Sequence, residues 1–393
     1  MRLPHATNRW DAVARLRLRH LAVIGVVGVL ALVVGVVGGA LEQRANGQPY
    51  LPAGCELWLT EGAYVDDSCL LGQSLPPLRE LADARGIRLG SAVNNEALKD
   101  ATYRDVLSRE FNAVTPETAM KWSTVEPRRG EYDRSAADDV VAFAEQHGQY
   151  VYGHTLVWHK QVPDWVVDAG YDTAQLREVL RRHVTDEVSY FRGRVWAWDV
   201  VNEVLDEDGT LRDSIWARRL GPGYIADVFR WAREADPDVK LFINDYGIEG
   251  VNTKSDAMYT LVRRLQAEGV PIDGVGFQVH WSLDPLPETL VANLERFAAL
   301  GLDVAITELD VRMPEPVTTE QLRRQASLYA QVVDACLTVP RCVSVTVWGF
   351  TDAYSWVPAR YPGSGAATLF DADHRPKPAY AAVAEVLWRR RIE

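Results

Sequence analysis

Two glutamates that directly follow apolar segments are the residues best placed to do chemistry. Glu203 comes after the apolar stretch that ends at residue 201, and Glu308 comes after residues 304–307. Cleavage of a glycosidic bond needs one carboxylic acid to protonate the departing oxygen and a second carboxylate on the opposite face of the sugar ring. Spacing alone does not rank this pair above three other carboxylates near segment ends: Glu117, Asp245 and Asp310.

Polar and aromatic side chains follow every one of eight apolar segments, not only these two. In chain order they are Asn94, Asn95 and Glu96; Glu117, Lys121 and Trp122; His154, Trp158 and Gln161; Asn202 and Glu203; Asn244, Asp245 and Tyr246; Gln278 and His280; Glu308; and Trp348 with Trp356. A single such residue is typical of a solvated loop or a satisfied structural position. A set at the same end of all eight segments indicates one cleft, in which amides and imidazoles bind hydroxyl groups and indoles stack on sugar rings.

The elements that position these residues alternate regularly along the chain. Short β-branched runs, predicted as strands, occupy residues 87–93, 111–115, 150–156, 195–201, 240–244, 274–279, 304–307 and 343–348. Helical patterns occupy residues 135–147, 173–191, 254–269, 286–300, 319–337 and 378–391, and several end at a glycine: Gly148, Gly193, Gly269 and Gly301. Such alternation predicts the α/β class and a (β/α)8 TIM barrel, whose active site lies where strands lead into loops. An open doubly wound sheet is disfavoured because no phosphate-binding glycine motif follows any strand.

At these positions the chain resembles the family-ten glycoside hydrolases, mainly endo-1,4-β-xylanases, over residues 75–388. The motifs are residues 111–122 (FNAVTPETAMKW), 153–159 (GHTLVWH), 198–203 (WDVVNE), 306–310 (ITELD), 347–349 (VWG) and 369–380 (LFDADHRPKPAY). The resemblance implies endo-acting hydrolysis of xylan with retention of configuration. It assigns Glu203 as the acid/base, Glu308 as the nucleophile and His280 as the hydrogen-bond partner that keeps Glu308 ionised.

The same resemblance assigns the substrate-binding residues, and it implies no cofactor and no metal. They are Glu117, Lys121, His154, Trp158, Gln161, Asn202, Tyr246, Gln278, His280, Trp348 and Trp356. Cys336 and Cys342 match a disulfide found in part of the family. In a retaining mechanism the two carboxyl groups lie about 5–5.5 Å apart. Three positions depart from the family pattern and bear on substrate binding: Thr118, Gly247 and Trp281.

The N-terminus predicts export. Five arginines precede residues 21–41, a stretch of 21 residues without a charge, which is close to the length that spans a bilayer. The basic side should stay in the cytoplasm. We therefore expect a cytoplasmic segment 1–20, a signal anchor or cleaved signal peptide at 21–41, a linker 42–73 with a Cys55–Cys69 disulfide, and a catalytic domain 74–393. The enzyme would lie on the outer face of the membrane or be secreted.

The net charge and the composition limit the classes of molecule that the protein is expected to bind. The net charge of −12 argues against nucleic acid and anionic membranes and favours a neutral substrate such as xylan or xylo-oligosaccharides. Membrane contact is expected only through the N-terminal segment, and the protein is expected to be a monomer. Three alternatives stay open: the same chemistry on cellulose or mixed-linkage glucan, a polysaccharide-binding protein with vestigial catalysis, and a barrel metal hydrolase. His154 and His159 lack the spacing of helical zinc ligands, which disfavours the last.

Overall fold

The computed structural model describes residues 76–389. The predicted segments 1–20, 21–41 and 42–73, together with the Cys55–Cys69 pair, lie outside the described residues and stay predictions. Within residues 76–389, no helix is both long enough and apolar enough to cross a membrane.

Eleven strands are defined in the described part of the chain. They are β1 (Arg88–Val93), β2 (Ala113–Pro116), β3 (Tyr150–Gly153), β4 (Ala197–Asn202), β5 (Lys240–Asp245), β6 (Gly274–Phe277), β7 (His280–Trp281), β8 (Asp303–Val311), β9 (Met313–Pro314), β10 (Cys342–Val347) and β11 (Ser364–Gly365). Eight of them, β1 to β6 with β8 and β10, pair in parallel with their neighbours, and β10 pairs with both β8 and β1. The sheet is therefore a closed barrel, which confirms the predicted (β/α)8 architecture.

Helices fill the connections between these strands. They are α1 (Leu78–Arg85), α2 (Ala101–Glu110), α3 (Trp122–Val125), α4 (Ser135–Gln146), α5 (Asp164–Val167), α6 (Thr173–Tyr190), α7 (Ile215–Leu220), α8 (Tyr224–Ala235), α9 (Thr253–Ala267), α10 (Leu290–Ala298), α11 (Thr319–Thr338), α12 (Val357–Arg360) and α13 (Pro378–Arg389). Side-chain caps start several of them. Asp172 and Thr318 each form a reciprocal capping box with a glutamine three residues later.

The strands are apolar on both faces because one face packs on helices and the other fills the barrel. Inside the barrel, Tyr152, Ala197, Phe242 and Ala305 form a small buried cluster. Gly274 leaves room for this packing, since a Cβ there would lie 2.3 Å from Phe242 Cε1. The floor beneath the strand ends is thus solid, and polar groups lie above it.

The sequence placed every barrel strand and six of the thirteen helices, with differences at the edges. The predicted strand 150–156 ends at Gly153, because the chain then turns to bond β4 through Leu156 N and Asp199 O, 3.0 Å apart. The seventh barrel strand continues past its predicted end to Val311, where β7 pairs with it. Seven helices were not predicted: α1, α2, α3, α5, α7, α8 and α12. Of these, α3, α5 and α12 have only four residues each, and the Gly221–Gly223 turn divides the α7–α8 region into pieces too short for a clear helical period.

Two local predictions are confirmed. The four glycines expected to stop helices, at positions 148, 193, 269 and 301, have φ values of 62°, 76°, 66° and 83°, in the left-handed region that favours glycine. Cys336 and Cys342 form a disulfide with 5.3 Å between their Cα atoms. It joins the end of α11 to the start of β10.

Candidate active site

Glu203 and Glu308 both lie at the carboxyl end of the barrel. Glu203 directly follows β4, and Glu308 lies within β8, in its last four residues. Both side chains are largely buried, with exposed fractions of 8% and 5%. Because parallel strands all end on one side of a barrel, both carboxylates face the same opening.

A network of three amides connects the two glutamates. Asn202 Oδ1 accepts hydrogen bonds from Asn244 Nδ2 and from Gln278 Nε2, each at 3.1 Å. Asn244 Nδ2 also donates to Glu308 Oε1 at 2.8 Å, and Gln278 Nε2 lies 3.4 Å from Glu203 Oε1. The glutamates therefore belong to one cleft, and the predicted binding residues Asn202 and Gln278 lie between them.

His280 connects Glu308 to a second carboxylate. Its Nε2 lies 3.2 Å from Glu308 Oε2 and its Nδ1 lies 2.9 Å from Asp310 Oδ2. Trp356 Nε1 donates to the same Asp310 oxygen at 2.8 Å. Burial alone would lower the pKa of His280, but the carboxylates of Asp310 and Glu308 outweigh it and raise the pKa well above its usual value. The imidazolium form of His280 therefore faces Glu308 at neutral pH.

His154 contacts a different carboxylate, that of Asp199. Its Nδ1 is 2.8 Å from Asp199 Oδ2, and Tyr152 Oη donates to Asp199 Oδ1 at 2.7 Å. Burial lowers the pKa of His154 well below its usual value, so its imidazole is neutral. Burial also raises the pKa of Asp199 well above its usual range.

Among residues 76–389, His154, Asp199 and Glu308 form the one group of side chains with the spacing of a metal site. One ligand atom from each lies within 4.8 Å of the others. Hydrogen bonds from Tyr152 and Asn244 and the contact between His154 and Asp199 account for these groups as well. That the site needs no metal stays a prediction.

Lys121 and three tryptophans border the cleft. Lys121 Nζ lies 4.8 Å from the Trp158 ring centroid and 5.9 Å from that of Trp348. Burial lowers the pKa of Lys121, while the carboxylates around it oppose this shift; they belong to Glu308, Glu117 and Glu203. The Trp348 ring lies 5.1 Å from the His154 ring, and the Trp356 ring lies 4.8 Å from the His280 ring.

The remaining predicted binding residues lie at the edge of the same cleft. Glu117 lies near Lys121. Burial raises the pKa of Glu117 above its usual value, although the Lys121 charge opposes this shift. Gln161 is exposed and lines a small depression with Lys121 and Trp158. Tyr246 Oη accepts a hydrogen bond from Arg212, whose Nε donates to the carbonyl of Glu203. The structure thus brings all eleven predicted binding residues to one end of the barrel.

Glu203 has an environment unlike that of Glu308. Its Oε2 accepts no hydrogen bond from the described residues. His159 Nδ1 lies 3.7 Å away and Lys160 Nζ 3.8 Å away, beyond hydrogen-bonding distance. Burial lowers the pKa of His159 to about 4, so this imidazole is neutral. One oxygen of Glu203 is therefore buried without a hydrogen bond from the described residues.

The three departures from the family pattern lie around this cleft, and none of them hydrogen-bonds to Glu203 or Glu308. Thr118 is exposed. Gly247 has φ 70°, a conformation that suits glycine, and its N–H donates to Glu249 Oε1 at 3.3 Å. Trp281 Nε1 donates to the Asp284 carbonyl at 2.9 Å.

Several residues of the site were not assigned a role from the sequence, although Asn244 was named among the polar residues at the segment ends. Asp199, Asn244 and Thr307 lie inside the barrel, where Thr307 Oγ1 donates to Asn244 Oδ1 at 2.7 Å. Their signal was the alternation of side chains along a strand, since Asp199 shares a face with Ala197, and Asn244 with Phe242. Arg212 carried no such signal because it lies in a loop.

Comparison with known proteins agrees with this geometry. Residues 77–386 match the family described as Glycosyl hydrolase family 10. An endo-1,4-beta-xylanase B of Thermotoga neapolitana is 45% identical over 316 residues, covering 79% of this chain and 91% of that protein. An endo-1,4-beta-xylanase of Agaricus bisporus is 45% identical over 298 residues, covering 75% of this chain and 90% of that protein.

Solved structures show the same likeness. Xylanase 10B from Thermotoga petrophila RKU-1 in complex with xylobiose has a TM-score of 0.79 and 46% identity, covering 81% of this chain and 98% of that one. Native xylanase 10B from Thermotoga maritima also gives a TM-score of 0.79 at 46% identity, covering 80% of this chain and 99% of that one. The family match spans most of the chain and includes the whole barrel, and this chain therefore belongs to glycosyl hydrolase family 10.

Proposed function

We propose that this chain is an endo-1,4-β-xylanase that hydrolyses β-1,4-xylosidic bonds inside xylan with retention of configuration. The observation that carries the proposal is the joining of Glu203 and Glu308 by one amide network in a single cleft. Membership of glycosyl hydrolase family 10 and relatives named endo-1,4-beta-xylanases support it. The solved relative with bound xylobiose supports xylo-oligosaccharides as ligands.

Glu308 is the nucleophile in this proposal. Asn244 donates to one of its oxygens and the His280 imidazolium lies 3.2 Å from the other, so both oxygens are held in place before substrate arrives. A Glu308 oxygen attacks the anomeric carbon and forms a glycosyl ester, while the bond from that carbon to the leaving oxygen breaks.

Glu203 is the acid/base, because its Oε2 is free of hydrogen bonds from the described residues. In the first step its proton passes to the leaving oxygen. In the second step Glu203 removes a proton from water, the water oxygen bonds to the anomeric carbon, and the ester bond to Glu308 breaks. Two inversions give net retention.

The other polar and aromatic side chains of the cleft bind the sugar chain. Amide, imidazole and ammonium groups hydrogen-bond hydroxyls, and indole faces pack on the apolar faces of xylose rings. The hydrogen-bonding residues are Glu117, Lys121, His154, Gln161, Asn202, Tyr246 and Gln278, and the indoles are those of Trp158, Trp348 and Trp356. His280 acts on the substrate through Glu308, because its two ring nitrogens face Glu308 and Asp310.

Product analysis tests the proposal. Purified protein is incubated with xylan, cellulose and mixed-linkage β-glucan, and the released sugars are separated by chromatography, with Glu308→Gln as the inactive control. We expect xylo-oligosaccharides of several lengths from xylan early in the reaction and far less sugar from the two glucans. If more sugar is released from a glucan than from xylan, that glucan and not xylan is the preferred substrate. Release from none of the three would indicate a binding protein without catalysis.

We also propose that residues 21–41 export the catalytic domain, either as a retained anchor or as a cleaved signal. The disulfide of Cys336 and Cys342 supports an oxidising compartment. Fractionation of cells that make the full chain tests this. Activity in the cytosolic fraction would contradict the proposal, while activity in membranes or in the medium would distinguish an anchor from a cleaved signal.

A further inference from the structure

A buried ion pair lies behind Glu203, and the mechanism above does not use it. Lys254 on α9 is 2% exposed, and its Nζ lies 3.0 Å from Oδ1 of the fully buried Asp245 at the end of β5. Removing two charges from water is unfavourable, so such a pair is weak evidence for a role in stability alone. Its neighbours suggest another role.

Asp245 holds the chain just after Glu203. Leu205 N–H donates to Asp245 Oδ2 at 3.2 Å. Burial raises the pKa of Asp245 to about 7, against the opposing effect of the Lys254 charge. Without the ammonium group, Asp245 would be protonated over a wider pH range and would be a weaker acceptor for the Leu205 amide.

Tyr246 and Arg212 connect Lys254 to Leu205 by a second route. Lys254 Nζ lies 3.6 Å from the Tyr246 ring centroid, and Tyr246 Oη accepts from Arg212 Nη2 at 3.1 Å. The same Nη2 donates to the Leu205 carbonyl at 2.7 Å. We call these four residues, Arg212, Asp245, Tyr246 and Lys254, the brace. The brace holds Leu205 by both its N–H and its carbonyl.

Glu203 needs such support because of its own backbone. Its φ is 56°, in the left-handed region that is unfavourable for a residue with a Cβ. Residues in such conformations persist when the surrounding structure holds them there. Glu203 N–H donates to the Asn244 carbonyl at 2.9 Å, and its own carbonyl accepts from Arg212 Nε at 2.8 Å.

We propose that Lys254 is a positioning residue: through Asp245 and Tyr246 it holds the peptides around Glu203, so that the free carboxyl oxygen of Glu203 points at the leaving group. The inference rests on the proposed role of Glu203 as acid/base. It predicts a defect in proton transfer, which differs from a general loss of folded enzyme.

The test compares aryl β-xylobiosides with poor and good leaving groups in Lys254→Met. A phenyl leaving group needs the proton of Glu203, whereas a dinitrophenyl group leaves without it. We expect kcat/KM for the phenyl substrate to fall by about tenfold or more, and that for the dinitrophenyl substrate to stay within about twofold. Azide should raise kcat on the dinitrophenyl substrate and give xylobiosyl azide, because azide attacks the glycosyl ester without a base.

Lys377→Met is the matched control. Lys377 is 9% exposed and its Nζ lies 2.8 Å from Asp352 Oδ2, so the same change breaks a similar ion pair that does not contact residues 203–205. We expect Lys377→Met to change kcat/KM by the same factor on the phenyl and the dinitrophenyl substrate. The double variant Asp245→Asn with Lys254→Met should lose no more kcat/KM on the phenyl substrate than the worse single variant, since both changes act on the Leu205 amide.

Arg212→Lys provides a second, partly exposed position. It keeps the charge and removes the forked donors, so we expect the same leaving-group dependence as in Lys254→Met. If Lys254→Met does not fold, Arg212→Lys tests whether the brace positions Glu203. Equal losses on both substrates in the folded variants would overturn the role of Lys254 while the activity stands. A wild-type protein that cleaves neither xylobioside would overturn the proposed function and this inference together.

Discussion

Glu308 and Glu203 have the same side chain but different neighbours. Glu308 accepts from Asn244 and lies against the His280 imidazolium, so both of its oxygens have partners that favour the anion. Glu203 has one oxygen near Gln278 and one without a hydrogen bond from the described residues. Two carboxyl groups with different surroundings suit two chemical roles.

Amide variants separate these roles. Glu308→Gln removes the nucleophile, and we expect activity to fall by about four orders of magnitude or more on every substrate. Glu203→Gln removes the proton donor, so the loss should be large on xylan and much smaller in the first step with a dinitrophenyl xylobioside. Steady-state and burst kinetics measure both. Equal losses on all substrates in the two variants would contradict the assignment.

The charge on His280 predicts a dependence on pH. Burial would lower its pKa, but Asp310 and Glu308 raise it well above the usual value. Burial raises the pKa of the neighbouring Glu249, and the His280 charge opposes that shift. Since the folded-state pKa exceeds the unfolded one, the ion pairs contribute stability at low and neutral pH. That contribution is lost as pH rises through the folded-state pKa.

Asp310→Asn tests this at the residue itself. The asparagine can still accept from His280 and Trp356 but no longer carries the charge that holds the proton on the imidazole. We expect an NMR titration to show the His280 pKa lower by about one unit or more, and kcat/KM at about pH 8 to fall relative to about pH 6. An unchanged titration would show that the Asp310 charge does not hold this proton.

At the scale of elements, β5 and β6 together set the position of Asn244. Gly276 makes this possible, because a Cβ there would lie 2.3 Å from Asn244 Oδ1 and 2.9 Å from Thr307 Cγ2. Gly274, two residues earlier on the same face, is equally tight against Phe242 in the barrel floor. Both glycines prevent overpacking, but Gly276 alone of the two contacts the amide network.

Gly276→Ala and Gly274→Ala are therefore a matched pair. Each should lower the free energy of unfolding by about 1–3 kcal/mol through overpacking. Gly276→Ala should also displace Asn244 from Glu308 and lower kcat about tenfold or more, whereas Gly274→Ala should keep kcat within about threefold. Urea unfolding and xylan hydrolysis measure the two effects. Similar kcat values in both variants would show that Asn244 is not needed in this position.

The elements also show what a sequence can predict. The eight barrel strands follow from local patterns of short β-branched runs. So do five carboxylates near their ends, among which the family resemblance, and not the spacing, selects Glu203 and Glu308. The brace does not, because Arg212 lies in a loop, Asp245 at the end of β5 and Lys254 on α9, and the three meet only in the folded barrel. The left-handed backbone of Glu203 likewise depends on contacts with β5 that no local pattern reveals.

At the scale of the whole molecule, the two ends of the barrel have different tasks. The candidate catalytic groups lie where the strands end, and the disulfide of Cys336 and Cys342 lies where β10 begins. In barrels of this kind the carboxyl end carries chemistry and the amino end carries stability. Stability and activity should therefore respond independently to changes at the two ends.

Removing the disulfide tests this separation. Cys336→Ala combined with Cys342→Ala opens a short loop, between residues six apart in sequence, and should lower the free energy of unfolding by about 2 kcal/mol through the greater freedom of the unfolded chain. We expect kcat and KM on xylan at room temperature to match the wild type, because the bridge lies at the far end of β10 from the cleft. Urea unfolding of the double variant, beside wild type with and without a reductant, measures the first effect, and the reduced wild type should resemble the variant. Glu203→Gln gives the opposite control, with activity lost and stability kept. A fall in kcat in the cysteine variant would mean that strain at the start of β10 reaches the ends of the strands, and that the two ends of the barrel are not independent.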